Sequence, residues 1–131
     1  MRAAAFIGGI LTLAAACAAF AATHPLTLYV ANQSFDVNPV DIKVTIDGAT
    51  VVTDAFYAGE GYNWRRFDLR LAAGRHVLRA MTRKGSAALK REFDVTGPRW
   101  LAVAYRNVSP SRGGKTVRHF ACAIRDKPFG K

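Results

Sequence analysis

The stretch of this sequence best suited to chemistry is residues 56–64, Phe-Tyr-Ala-Gly-Glu-Gly-Tyr-Asn-Trp. Four aromatic side chains stand there beside an acid, an amide and two glycines. Aromatic faces stack on sugar rings, while Asn and Glu side chains hydrogen-bond to hydroxyl groups. The stretch therefore predicts a carbohydrate site. Its candidate ligand-binding residues are Tyr57, Glu60, Tyr62, Asn63 and Trp64. The alternative is that its first and last aromatics are core residues and its two tyrosines cover a sheet end.

A second candidate surface is cationic. The chain has 19 Lys and Arg against 9 Asp and Glu, and residues 65–91 carry nine of these bases with Asp68 as the only acid. Arg66, Arg70 and Arg79 are predicted at outward positions of neighbouring strands, forming one positive face. Such a face attracts anionic cell-envelope polysaccharide or lipid. The alternative is a set of solvated strand faces that keep the domain soluble.

Motifs typical of enzymes and metal sites are absent from the sequence. It has no G-x-S-x-G, no H-E-x-x-H and no phosphate-binding glycine loop. Asp36-x-Asn38-x-x-Asp41 lacks the spacing of a calcium loop. A small hydrolase would rest only on the presence of Asp54 and Glu60 in one region. We therefore expect a non-catalytic binding or structural module of unknown ligand, with a cationic face and with no cofactor and no metal. The alternative is a carbohydrate-binding module that uses the aromatic 56–64 stretch.

The N-terminus has the pattern of an export signal. Residues 1–21 read MRAAAFIGGILTLAAACAAFA, with Arg2 before a long apolar run and Ala19-Phe20-Ala21 as an A-x-A cleavage site. This pattern predicts a signal peptide at 1–21 and a mature domain at 22–131, periplasmic or secreted. The alternative is a retained membrane anchor, because the run is about as long as the ~20 residues that span a bilayer. Export would separate the domain from nucleic acid, which is therefore not an expected partner.

A lipid on Cys17 is the second possible outcome of export. Cys17 follows Leu13-Ala14-Ala15-Ala16, which resembles a bacterial lipoprotein signal with its Leu one residue early. Lipidation would tether the domain to the membrane. After either cleavage only Cys122 remains, so no internal disulfide can form. Its position between Phe120 and Ile124 predicts a buried thiol rather than a nucleophile.

The elements that must position these residues are strands. Residues 41–47 alternate, with Ile42, Val44 and Ile46 on one side, and Asp47-Gly48 follows as a hairpin turn. Further strands are predicted at 26–31, 49–56, 64–71, 76–81, 87–95, 100–107 and 116–126. Turn signals every 8–12 residues predict an all-β fold, an antiparallel β-sandwich, Ig-like or jelly-roll-like, of about eight strands.

Several of these segments resemble a group of small bacterial exported proteins, often lipoproteins. The matching segments are Leu28–Phe35, Val40–Gly48, Asn63-Trp64, Gly74-Arg75-His76 and Asp126-Lys127-Pro128. The likeness covers roughly residues 26–128. It implies a β-sandwich at the cell envelope. No reaction is assigned to that group, so no catalytic residue is carried over. Asn32, Gln33 and Ser34 would form a polar patch or bind the backbone at a strand end.

Overall fold

The computed structural model describes residues 22–59, 63–108 and 115–130. The predicted signal peptide, Cys17, Glu60 and Tyr62 lie outside these ranges. The described residues form eight strands: β1 (Thr23–Asn32), β2 (Val40–Ile46), β3 (Ala49–Phe56), β4 (Arg65–Ala72), β5 (Gly74–Thr82), β6 (Ala87–Val95), β7 (Arg99–Val108) and β8 (Val117–Arg125). The prediction of an all-β fold of about eight strands is confirmed.

The strands form two four-stranded sheets packed face to face. Sheet A has the order β4-β1-β7-β8 and sheet B the order β3-β2-β5-β6. Successive strands alternate in direction, so β1 and β7 run the same way, and they pair in parallel. Every other neighbouring pair is antiparallel.

The core lies between the sheets and follows the period-two pattern. Ile42, Val44 and Ile46 are buried, as predicted, and face Leu28, Val30 and their neighbours in sheet A. On β4 the inward residues are only half-buried, because β4 is an edge strand. The remaining members of the buried cluster are Leu26, Val40, Val52, Phe56, Leu78, Ala80, Phe93, Val95, Leu101, Val103, Tyr105 and Phe120. The packed interior stabilises the domain without a disulfide, since Cys122 is a free thiol.

Alternating strand direction gives the sandwich two different ends. At one end, here the turn end, the connections are residues 47–48, 73 and 96–98. Asp47 and Gly48 have φ of 52° and 84°, as the predicted hairpin turn requires. At the other, the loop end, the connections are 33–39, 57–64, 83–86 and 109–116.

The prediction that Arg66, Arg70 and Arg79 share one face is wrong. Residue 73 connects β4 to β5 but carries the chain from sheet A to sheet B, so these strands are not neighbours. Arg66 and Arg70 lie on the outer face of sheet A, because they alternate with Phe67 and Leu69, which pack against the core. Arg79 lies on the outer face of sheet B between buried Leu78 and Ala80. The charge is therefore divided between the two sides of the sandwich.

No helix in the described part of the chain is long and apolar enough to cross a membrane.

Candidate functional site

The most site-like feature is a recess on the outer face of sheet A. It has a volume of about 480 Å³ and is lined by Tyr29, Trp64, Ala102, Phe129 and Gly130. Tyr29 points outward because its neighbours on β1, Leu28 and Val30, belong to the core. The volume lies within the range of about 300–1,000 Å³ typical of ligand pockets.

Small side chains make the floor of this region low. Five alanines lie at outward positions of β1, β7 and β8: Ala31, Ala102, Ala104, Ala121 and Ala123. Ala31 and Ala104 are buried although they face away from the core. A methyl group projects less far from the sheet than an aromatic ring does. The aromatic side chains around these alanines therefore form the sides of the recess.

The aromatic walls come from three segments distant in sequence. Tyr29 belongs to β1, Trp64 precedes β4, and Phe129 belongs to the tail after β8. Phe129 meets Tyr29 edge to face, with ring centroids 6.1 Å apart, and the Arg125 guanidinium lies 5.2 Å from the Phe129 centroid. The tail makes no backbone hydrogen bond to the rest of the described chain. These ring contacts therefore fix its position.

Polar groups around the recess remain available to a ligand. Within the described ranges, neither the Tyr29 hydroxyl nor the Trp64 indole N–H has a hydrogen-bond partner. Arg66 lies directly opposite Tyr29 in the β1–β4 register and donates to Asp68 at 3.0 Å. That ion pair is exposed to solvent and therefore weak.

The other predicted arginines do not gather at this site. Arg70 donates to the hydroxyl of Thr23 at 3.0 Å and to its carbonyl at 2.9 Å, so it anchors the start of β1. Arg79 has no hydrogen-bond partner in the part of the chain that the structure describes, and it lies on the opposite sheet.

The predicted sugar-binding stretch is divided among different roles. Phe56 is a core residue, Tyr57 is 67% exposed, and Trp64 is half-buried in the recess. The Asn63 amide donates to the carbonyls of Asn32 at 2.5 Å and Tyr57 at 3.2 Å, so it holds the loop to β1. Of the described members of the stretch, Trp64 alone lines the recess.

Tyr29, Ala102 and Phe129 were missed as site residues. The alternation of β1 offered a signal for Tyr29, since an aromatic between two core positions must face outward. The sequence offers no such signal for Phe129, because the tail has no periodicity.

Asn32 holds together the base of the loop end. Its amide donates to the carbonyls of Val37 at 2.8 Å and Phe56 at 3.1 Å, and its oxygen accepts from the Ser34 amide at 2.9 Å. Asn32 is fully buried. Two roles were predicted for the Asn-Gln-Ser segment. Asn32 and Ser34 have the second of them, because they bind backbone groups at the end of a strand.

A titratable pair in which both pKa values are shifted lies at the turn end. His76 is buried, with Nδ1 at 2.5 Å from Asp47 and Nε2 at 2.7 Å from the carbonyl of Ala72. Both partners are acceptors, so this geometry favours the imidazolium, the form in which both ring nitrogens donate. Burial lowers the pKa of His76, but the bonds to Asp47 and Ala72 outweigh it and leave the pKa raised above 6.5. Because both of its ring nitrogens are hydrogen-bonded, His76 holds the β2–β3 turn in place and is a poor general base.

The free thiol of Cys122 is half-buried rather than fully buried as predicted. Cys122 packs against the core, and burial raises the pKa of its thiol, while the charge of Arg91 lowers it less. His119 alternates with the inward Phe120 and so faces away from Cys122. No group of three or more His, Cys, Asp or Glu residues in the described ranges could hold a metal ion.

Comparison with protein-family models finds no match for this chain, and comparison with curated proteins finds none either.

Proposed function

We propose that this chain is an exported, non-catalytic binding module of the bacterial cell envelope. In this proposal the domain, periplasmic or secreted, holds a carbohydrate in the recess of Tyr29, Trp64 and Phe129. The observation that carries the proposal is the convergence of three aromatic side chains, from three separate segments, around one pocket of ligand size.

Carbohydrate is the ligand class that fits this combination of groups. A sugar ring presents apolar C–H faces to aromatic rings and hydroxyls to polar groups at the rim. The Tyr29 hydroxyl and the Trp64 indole N–H supply such polar groups beside the rings. Among the described residues that line the recess there is no acid and no histidine, which supports binding rather than hydrolysis.

The charge of the domain favours an anionic polysaccharide. The full chain has a formal net charge of +10, and Arg66 and Arg125 lie beside two of the recess aromatics. Attraction of this kind raises the local concentration of a negatively charged polymer and weakens with salt.

Tryptophan fluorescence offers a direct test, because Trp64 and Trp100 are the only tryptophans. Residues 22–131, which contain all eight strands, would be titrated with neutral and uronic-acid oligosaccharides at low and high salt. We expect saturable quenching that Trp64→Ala abolishes and Trp100→Phe retains. Affinity for the anionic sugars should fall as salt rises.

Tyr57→Ala is the matched control, since Tyr57 belongs to the same loop but does not line the recess. It should bind like the parent protein. A signal that no sugar changes, or one that Tyr57→Ala abolishes while Trp64→Ala retains it, would contradict the proposal.

A further inference from the structure

The large hydrophobic side chains that are exposed gather toward one end of the sandwich. Five such residues, between 43% and 67% exposed, are found in the described chain: Phe35, Tyr57, Met81, Val108 and Val117. Phe35 lies in the β1–β2 loop, Tyr57 follows β3, Val108 ends β7 and Val117 begins β8. Met81 is one residue from the end of β5. All of these places belong to the loop end, and they come from both sheets.

Basic side chains stand among these tips. Arg83 and Lys84 form the β5–β6 turn, Lys115 precedes β8, and Arg106 lies near the end of β7. Their side chains have no hydrogen-bond or ion-pair partner within the described ranges. All four residues are exposed.

The three acids that the structure describes at this end, Asp36, Asp41 and Asp54, are engaged within the protein. Asp36 accepts from Asn107 at 2.8 Å and from Arg118 at 3.1 Å. Asp54 pairs with Arg65 at 2.9 Å. Asp41 accepts from the Thr82 hydroxyl and from two turn amides, those of residues 83 and 84. The outermost charge of the described loop end is therefore positive.

We propose that the loop end docks on the surface of a lipid bilayer that contains anionic headgroups. Apolar tips such as Phe35 and Val117 would enter the headgroup region, while Lys84 and its neighbours meet the phosphates. The described tips belong to four separate connections rather than to one continuous segment. A fluid bilayer needs no complementary shape, and its negative charge complements the cations between the tips.

This docking constrains how the chain is released. β1 begins at the turn end and its ten residues span about 33 Å to the loop end. The six steps from Cys17 to Thr23 reach only about 20 Å. A lipid on Cys17 would therefore hold the turn end toward the membrane and the loop end away from it. Docking through the loop end therefore requires a domain that is cleaved near residue 22 rather than lipidated at Cys17.

Vesicle co-sedimentation of residues 22–131 tests the proposal. We expect binding to vesicles of mixed phosphatidylcholine and phosphatidylglycerol, and little binding to phosphatidylcholine alone. Lys84→Glu should weaken binding roughly tenfold or more, since it reverses a charge at the surface. Phe35→Ser should weaken it as well, whereas Phe35→Trp should retain it because Trp favours the interface.

Lys127→Glu is the matched control, because it makes the same charge change at an exposed position of the turn end. It should leave vesicle binding within about twofold. An equal loss in Lys127→Glu and Lys84→Glu would overturn the proposal, as would equal binding to both vesicle types or to neither. Self-association that Phe35→Ser removes, without vesicle binding, would assign the loop end to a protein interface instead. Thermal melts of each variant confirm that a loss of binding is not a loss of fold.

Discussion

At the turn end the chain reverses in one to three residues, whereas at the loop end it takes four to eight. Two clusters of ionisable groups at the turn end are paired: His76 with Asp47, and Arg75 with Glu92 at 2.7 Å and Asp94 at 3.5 Å. At the loop end the tips carry exposed apolar residues and unpaired cations. The paired groups of the turn end are thus engaged within the protein, whereas the tips of the loop end leave side chains available to partners.

The loop end has two parts: a base, where buried side chains hold the connections together, and tips, whose side chains are exposed. Tyr105, fully buried, donates its hydroxyl to the carbonyl of Gly85 at 3.0 Å, and Asn32 binds two loops. Burial raises the pKa of the Tyr105 phenol, which therefore stays protonated and donates at ordinary pH. Substitutions at the base, at the turn end and at the tips should consequently differ in their effect on stability.

The largest effect is expected from Gly85→Ala at the base. A Cβ at position 85 would lie 2.6 Å from Cε1 of Tyr105 and 2.8 Å from Cγ2 of Thr82. Overpacking and loss of the Tyr105 bond should lower the free energy of unfolding by about 3 kcal/mol. Urea denaturation measures it. Gly59→Ala, where no atom lies within 4 Å of the added Cβ, is the control and should change little.

Asn32→Ala should have the next largest effect. It leaves the carbonyls of Val37 and Phe56 and the amide of Ser34 without their partner. Unpaired buried backbone groups cost about 2 kcal/mol here. Gln33→Ala, at an exposed neighbouring position, is the control in the same denaturation experiment. Equal stability of the two variants would show that the base is no more ordered than the tips.

The turn end should show a pH-dependent contribution from His76 and Asp47. The pKa of His76 is raised, so its stabilisation is present below about 6.5 and lost as pH rises through the folded pKa. Burial raises the pKa of Asp47, but its bonds to His76 and Val77 outweigh this and lower it below 3.8. Its stabilisation is lost as pH falls through that lower value. The pair therefore stabilises most between about pH 4 and 6.5.

Asp47→Asn isolates this charge, because Asn also adopts the positive φ of position 47. We expect a loss of about 1 kcal/mol at pH 5–6 that shrinks at alkaline pH. Denaturation at several pH values measures it. Asp126→Asn, an exposed acid at the same end, should show no such profile. A pH-independent loss would mean that the ring is neutral.

Sequence periodicity could predict which face a residue occupies but not which sheet it joins. Ile42, Val44 and Ile46 were predictable as core because only a period of two buries all three. A short turn between two alternating segments reads as a hairpin whether or not it crosses between sheets, and residue 73 crosses. Because of this ambiguity, Arg66 and Arg79 were predicted to share one face, although they lie on opposite sheets.

The recess was predictable only in part for a related reason. Trp64 was identified as a candidate ligand-binding residue from the composition of its stretch. Tyr29 could have been identified from the alternation of inward and outward residues along β1. Phe129 enters through a tertiary contact with Tyr29 that no local pattern encodes. The loop end could not be seen as one surface until strand directions brought Phe35 and Val117 to the same end.

The smallest effect on stability is expected at the tips. Phe35 and Tyr57 are both 67% exposed, so replacing either removes little buried apolar area. Phe35→Ser and Tyr57→Ser should each change the free energy of unfolding by less than about 0.5 kcal/mol in urea denaturation. A loss near that of Asn32→Ala would show that the tips pack on the domain after all. Unchanged stability would show that the fold does not require these side chains, which leaves them available to the contact with a bilayer that vesicle binding tests.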